Sequence, residues 1–261
     1  MTVSATREDV HFIDLAAVWR SVQSVAPEHR LRAVLKCVGV ESHDEEGYYV
    51  RRPVVGLVGV GGLPVRVAGD PVSVSLLGHT LTSVEDLRQA VWEMYGLSGA
   101  FSYLNTGNHQ PTVLAERMWQ SGHRSGLHAV FANIGVFGVS TAVETEMACQ
   151  RDLVHLSRVT VARTRCQSNP PFVVRDAALM DSTKAIRSVA LSAAPPERHD
   201  EYVNALFPVS KATCFMLSGS VKNLLKVCEH SKDEGKEEEY RELLGMIGRQ
   251  LGSLIGKTQA L

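Results

Sequence analysis

Tyr240, Leu243, Leu244, Ile247 and Leu251 recur at i, i+3, i+4, i+7 and i+11, the spacing of one apolar face of an α-helix. A face this continuous has to be buried, so the chain must build a core around its C-terminal helix. The segment from Tyr48 to Gly78 has the other periodicity. Its β-branched runs VVGLVGV, PVRVAGD and PVSVSLLG are punctuated by proline and glycine, which suits short strands joined by tight turns. With 261 residues, 44% of them hydrophobic, the chain is long enough to bury a substantial core. The fold class expected is α/β (α+β), with a central mixed sheet and long helices.

Other elements follow from spacing and punctuation. Leu15, Val18, Trp19, Val22 and Val25, then Leu31, Val34 and Leu35, broken by Pro27, predict a helix, a turn and a second short helix or strand. Thr82 or Ser83 caps a helix running through Trp92 and Met94 to Gly96, and the polar stretch 105–111 reads as a mobile loop. A helix from Thr112 to Gln120, the strand HAVFANIGVFGVS, a helix from about Thr141 to His155 and a strand RVTVART come next. Thr183 to Leu191 is expected to be helical, with Ser182 as its cap and residues 194–197 as a connector. Helix is also expected from Asp200 to Leu206, after Pro208 through Leu217, from Val221 to Cys228 and from Lys236 to Leu254.

Composition excludes several classes. Lys plus Arg (27) nearly balances Asp plus Glu (28), so general nucleic-acid binding is disfavoured, and a phosphate would need a local cluster of cations. Five scattered cysteines without a CxxC pair argue against zinc or dithiol chemistry and for a reducing cytoplasm. There is no signal-like N-terminus and no apolar run of bilayer length, so no membrane association is expected. In Gly59-Val60-Gly61-Gly62-Leu63-Pro64 a proline stands where the dinucleotide fingerprint needs glycine. HExxH, Walker A and GxSxG signals are missing.

Three polar constellations remain. Gly122-His123-Arg124-Ser125 is a glycine-relaxed turn that could present an imidazole and a hydroxyl to a ligand, although spacing alone favours a capped helix start. Gln150, His155, Arg158, Thr160, Arg163 and Arg165 lie in QRDLVHLSRVTVARTR. Its forked guanidinium donors suit a phosphate or carboxylate, as in a nucleotide cleft, with a charge-guarded edge strand as the alternative. Cys166, between Arg165 and Gln167, reads as structural rather than nucleophilic.

These constellations together resemble the flavin-dependent thymidylate synthases over about residues 72 to 255. Gly122-His123 with Ser125, and Ser102 upstream, are similar to that family's flavin-contacting positions. Gln150 through Arg165 resembles its glutamine, Arg-His-Arg and Ser-x-Arg series. In this register Leu153-Val154-His155 replaces Arg-His-Arg and Arg163 stands at the serine; another register would use Gln150-Arg151-Asp152 and Thr160. Phe207-Pro208, Thr213, Ser220, Lys222, Lys226 and Glu239 follow its C-terminal pattern, while Asn204 and Ser231 stand where arginines are expected.

The resemblance implies a homotetramer with FAD as cofactor, NADPH as reductant and methylenetetrahydrofolate as carbon donor, methylating carbon 5 of a uracil nucleotide monophosphate. It implies substrate contacts from Gln150, Arg163, Arg165 and Asn204, cofactor contacts from Ser102, His123, Ser125, His155, Lys222 and Lys226, and catalytic roles for Arg158 and Arg165, with no metal. Divergence at the nucleotide positions resembles the branch acting on UMP as well as dUMP in polyoxin-type nucleoside-antibiotic biosynthesis. Residues 1–71 are expected to form an N-terminal α/β extension and 72–261 the synthase-like domain. The alternative is a non-catalytic relative that binds nucleotide or flavin as a sensor or partner subunit.

Overall fold

The computed structural model describes residues 10–61, 63–64, 66–67, 72–76, 79–81, 83–102, 110–150, 152–158, 170–199, 202 and 210–256. In chain order the described strands are β1 (Glu41–Asp44), β2 (Tyr49–Arg52), β3 (Val54–Val60), β4 (Leu63–Pro64), β5 (Arg66–Val67), β6 (Val72–Leu76), β7 (His79–Leu81), β8 (Phe131–Ser140), β9 (His155–Arg158), β10 (Phe172–Val173) and β11 (Ala212–Ser220). The helices are α1 (Leu15–Val22), α2 (Arg30–Cys37), α3 (Val84–Ser102), α4 (Pro111–Gln120), α5 (Thr141–Ala148), α6 (Met180–Ala193), α7 (Val221–Cys228) and α8 (Glu238–Ile255).

A five-stranded sheet in the order β4-β3-β8-β11-β9 organises the chain, and its strand pairings are all antiparallel, not mixed as expected, because each neighbour in the order runs back along the last. β8 and β11 pair antiparallel from Phe131↔Ser220 to Ser140↔Ala212, and β3 pairs antiparallel with β8 on its other side. The sheet therefore crosses the 71/72 boundary expected from the sequence. One face carries Val55, Leu57, Ile134, Val136, Phe215 and Leu217, packed against Tyr240, Leu243, Leu244, Ile247 and Leu251 of α8 and Leu87, Val91 and Tyr95 of α3. The other face carries Val58, Phe137 and Cys214, covered by Ile13, Leu31 and Leu35 and by the β1–β2 hairpin. The apolar stripe of α8 is thus buried against the sheet.

Gly138 sets the register of the central pair. Val139 faces Thr213 and Phe137 faces Cys214, so Gly138 is the extra residue of a bulge, and its φ of +77° is the left-handed conformation that such a bulge uses. The extra residue returns Val139 to the same face as Val136. Each central strand then passes directly into a helix through a buried serine: Ser140 Oγ accepts from Val143 N at the start of α5, and Ser220 Oγ accepts from Asn223 N at the start of α7.

The helix-turn-helix at 15–37, the short strands between 48 and 78 and the helices at 112–120 and 221–228 agree with the sequence reading. Ser83, not Thr82, caps α3, through Asp86 N at 3.0 Å, and the helix continues past Gly96 to Ser102.

Four further expectations are corrected. The apolar run through Leu217 is the strand β11, because a strand buried on both faces loses its alternation and is indistinguishable by pattern from a buried helix. The helix expected to reach His155 ends at Ala148. A turn follows in which Leu153 N and Val154 N both donate to Gln150 O, and His155 instead pairs with Ser218. Of the strand expected at RVTVART, Arg158 ends β9, which begins upstream at His155 where pairing with β11 overrides local propensity, and residues 159–164 lie outside the described residues. Helix α6 starts at Met180, after a 3-10 turn capped by Asp176 Oδ1, which places Ser182 inside it. The loop expected at 105–111 falls largely outside the described residues, as does the helix expected from Asp200 to Leu206.

Two predictions follow from the core. Gly138→Ala forces a left-handed alanine, and its Cβ would meet Val40 Cγ1 at 2.8 Å; a loss of about 1–3 kcal/mol in urea denaturation is expected, and an unchanged midpoint at equal slope would contradict the bulge. The second concerns thiols: burial pushes Cys214 up to about 12, with Glu144 adding to it, and Cys228 likewise to about 12, whereas Cys37 and Cys149 are exposed. Iodoacetamide at neutral pH is expected to alkylate Cys37 and Cys149 in the native protein, with Cys214 and Cys228 reacting only after unfolding. Peptide mapping that finds native labelling at Cys214 would refute the packing described here.

Candidate functional site

The ends of three strands and one helix converge on a cleft of about 470 Å³. Its walls are His128, Phe131, the segment Asp152-Leu153-Val154-His155, Ser218-Gly219-Ser220 and Asn223. The volume lies within the roughly 300–1,000 Å³ usual for small-molecule sites.

Local structure explains the convergence. The 3-10 turn Ser125–Ala129 leads into β8 and brings His128 to the rim, and Val221 N donates to Val130 O at 2.7 Å, tying the start of α7 to that turn. The β9–β11 register sets His155 beside Ser218. Asn223, in the first turn of α7, donates from Nδ2 to Leu153 O at 2.9 Å and closes the wall between α7 and the turn before β9. His128 Nδ1 lies 3.2 Å from Ser220 Oγ, the same hydroxyl that caps α7. Phe131 is 53% exposed, an aromatic face left open at the cleft mouth.

Of the residues expected at a site, the structure brings His155 into this cleft. Lys222 and Lys226 lie on α7 beside Asn223, half-buried and exposed respectively, but are not among the lining residues. His123 and Ser125 are exposed and lie outside the lining as well. Their turn is held locally: Gly122 has φ +78°, His123 Nδ1 is 2.9 Å from Ser121 Oγ, the Tyr95 hydroxyl donates to the His123 carbonyl, and the Arg124 guanidinium stacks 3.7 Å over Trp119. The same turn delivers His128.

Gln150 sits beside the buried Tyr240 hydroxyl, which burial pushes up to about 12 with Glu146 adding to the shift. Arg158 ends β9, paired with Phe215, and Ser102 ends α3. The side chains of both lie outside the described residues, as do Thr160, Arg163, Arg165, Cys166 and Asn204 entirely. Glu239 accepts from Ser140 N at 2.9 Å and pairs with Arg175 at 3.1 Å, a junction between α8 and the end of β8.

His128, Ser218 and Asn223 were not singled out from sequence. His128 could have been found as a second imidazole five residues beyond His123. Asn223 gave no signal of its own, since an asparagine in a helical run has no diagnostic spacing.

A second cleft, of about 420 Å³, lies beside the C-terminal end of α8. Two of its polar groups are already engaged there: Arg88 Nε donates to Ser253 O at 2.7 Å and Trp92 Nε1 to Ile255 O at 2.8 Å, satisfying terminal helix carbonyls. Among the described residues no cluster of three or more His, Cys, Asp or Glu is placed to hold a metal, and no helix is long and apolar enough to cross a membrane.

No family model matches the chain, and no curated protein matches it. Among solved structures it is similar to the flavin dependent thymidylate synthase ThyX from Helicobacter pylori complexed with FAD and dUMP, at 12% identity, over 63% of this chain and 92% of that one, with a TM-score of 0.48. It is also similar to a second structure of Thymidylate Synthase X from Helicobacter pylori with FAD and dUMP, at 14% identity, over 64% and 92% of the two chains, with a TM-score of 0.47.

Proposed function

We propose that the cleft between His128 and His155 is a binding site for a uracil nucleotide and a flavin, and that the protein methylates carbon 5 of UMP, dUMP or both. The reading takes methylenetetrahydrofolate as carbon donor and NADPH as reductant. The observation that supports it most is positional. His155 opens strand β9 in the cleft wall, Arg158 ends that strand, and the chain continues in sequence to Arg163 and Arg165, cations that suit an anionic tail.

The residues present fit the flat head of a flavin. Phe131 offers a stacking face, and His128, His155, Ser218 and Asn223 supply polar partners around it. FAD would supply the hydride chemistry when bound. The chain's own residues orient and bind: His155 holds the cofactor edge, Arg163 and Arg165 grip the nucleotide phosphate, and Arg158 polarises a uracil carbonyl as charge develops on it. His123, Ser125, Ser102, Lys222 and Lys226 are further flavin contacts on this reading, and Gln150 and Asn204 are substrate contacts. A homotetramer would let a neighbouring subunit complete the site.

Leu153, Asn204 and Ser231, uncharged where arginines are expected, favour a second reading, in which the protein binds nucleotide or flavin without turnover. One assay separates the two. Purified protein incubated with FAD, NADPH, methylenetetrahydrofolate and either UMP or dUMP is expected to bleach the flavin absorbance and yield a 5-methyl nucleotide seen by mass. Bound flavin that NADPH does not bleach establishes the non-catalytic reading, failure to bind FAD defeats the catalytic one, and failure to bind either FAD or nucleotide defeats both. His155→Ala is expected to weaken FAD binding about tenfold, the loss of roughly 1.4 kcal/mol that one hydrogen-bonding contact supplies; unchanged affinity would remove His155 from the site.

A further inference from the structure

Ser220 joins the start of α7 to an imidazole at the cleft. Its hydroxyl is buried, at 4% exposure, and its hydrogen-bond contacts among the described residues are Asn223 N at 3.2 Å and His128 Nδ1 at 3.2 Å. A backbone N–H only donates, so the Asn223 contact uses one acceptor lobe of the hydroxyl. The hydroxyl proton then has one acceptor within reach among the described residues, His128 Nδ1. A neutral imidazole that accepts at Nδ1 carries its proton on Nε2.

The amide of Asn223 is oriented by the same logic. Leu153 O only accepts, so the nitrogen faces it at 2.9 Å, and Oδ1 is left as the acceptor of that side chain. Among the described residues no donor reaches Oδ1. The two residues line one cleft, with the open ring of Phe131 beside them.

We propose that this cleft reads the imide edge of a flat heterocycle. His128 Nε2–H donates to a ring carbonyl, Asn223 Oδ1 accepts from the neighbouring ring N–H, and Phe131 stacks on the ring plane. The inference rests on the nucleotide-and-flavin reading and sharpens it. A carbonyl beside an N–H is common to uracil and to the isoalloxazine of flavins. Held by its ribose-phosphate in the same orientation as UMP, cytosine presents the reverse order, an amino donor facing His128 and a ring-nitrogen acceptor facing Asn223, and would leave both protein groups unpaired. His128 and Asn223 are then specificity-determining contacts, and Ser220 is the positioning residue that sets the tautomer.

The test has two parts, both on the full chain. Long-range proton–nitrogen correlation of 15N-histidine-labelled protein, with the His128 signal assigned by its loss in His128→Gln, is expected to show the Nε2–H tautomer in the wild type and a mixture in Ser220→Ala. A predominant Nδ1–H tautomer in the wild type overturns the donor assignment whatever binds. Calorimetric titration with UMP, CMP and riboflavin is expected to show UMP or riboflavin binding at least about tenfold tighter than CMP, the two imide arms distinguishing nucleotide from flavin as occupant. His128→Phe, at an exposed position, is expected to erase that preference, and His128→Gln, which keeps a donor near the Nε2 position, to restore part of it. CMP binding as tightly as whichever of UMP and riboflavin binds, or a preference that survives His128→Phe, overturns the imide assignment but leaves the nucleotide-and-flavin reading standing. Binding of none of the three overturns the nucleotide-and-flavin reading itself.

Discussion

The antiparallel pairing of β8 with β11 is the constraint on which the rest of the structure depends. Their registered ladder runs from Phe131↔Ser220 at one end to Ser140↔Ala212 at the other, so the start of each strand lies beside the end of its partner. Because each ends in a serine that caps the next helix, helices α5 and α7 leave the sheet at opposite ends. The cleft lies at the α7 end, where the residues leading into β8 meet the residues leaving β11. A slip of one residue would turn every side chain of β11 to the opposite face, separating Ser220 from His128 and Val154 from the core.

Polar groups in this region are used twice. Ser220 caps a helix and contacts an imidazole. Asn223 contributes a helical N–H and, through its side chain, holds the turn before β9. Shared contacts of this kind make the wall rigid, since no one of these groups can rotate without leaving another unsatisfied in a buried setting. A rigid wall favours recognition of a flat ring, whose edge has to meet a donor and an acceptor in fixed order. At the far end of α8 the polar groups of Arg88 and Trp92 are engaged in helix termination, so the two clefts differ in what they leave for a ligand.

Much of this fold was legible in the sequence wherever a pattern had one physical interpretation. The stripe on α8, the proline-broken helices at the N-terminal end and the strands between 48 and 78 are examples. β11 was misread because a central strand buried on both faces shows no alternation. The end of α5 was misread because pairing between His155 and Ser218, 63 positions apart in sequence, decides it. His155 was anticipated at the site, whereas Asn223 and Ser220 gain their meaning from contacts with Leu153 and His128 that no local spacing encodes. His123 and Ser125, singled out as ligand contacts, lie in the turn that carries His128 to the rim but outside the lining, whose nearest residue lies three positions past Ser125.

The central claim is that a heterocycle occupies the space between His128, His155 and Asn223. A crystal structure of the full chain grown with FAD and UMP tests this most directly. Planar density stacked against Phe131 with a ring edge within hydrogen-bonding distance of His128 and Asn223 is the predicted result. Density for either ring bound elsewhere, with this cleft holding only solvent, would contradict the account.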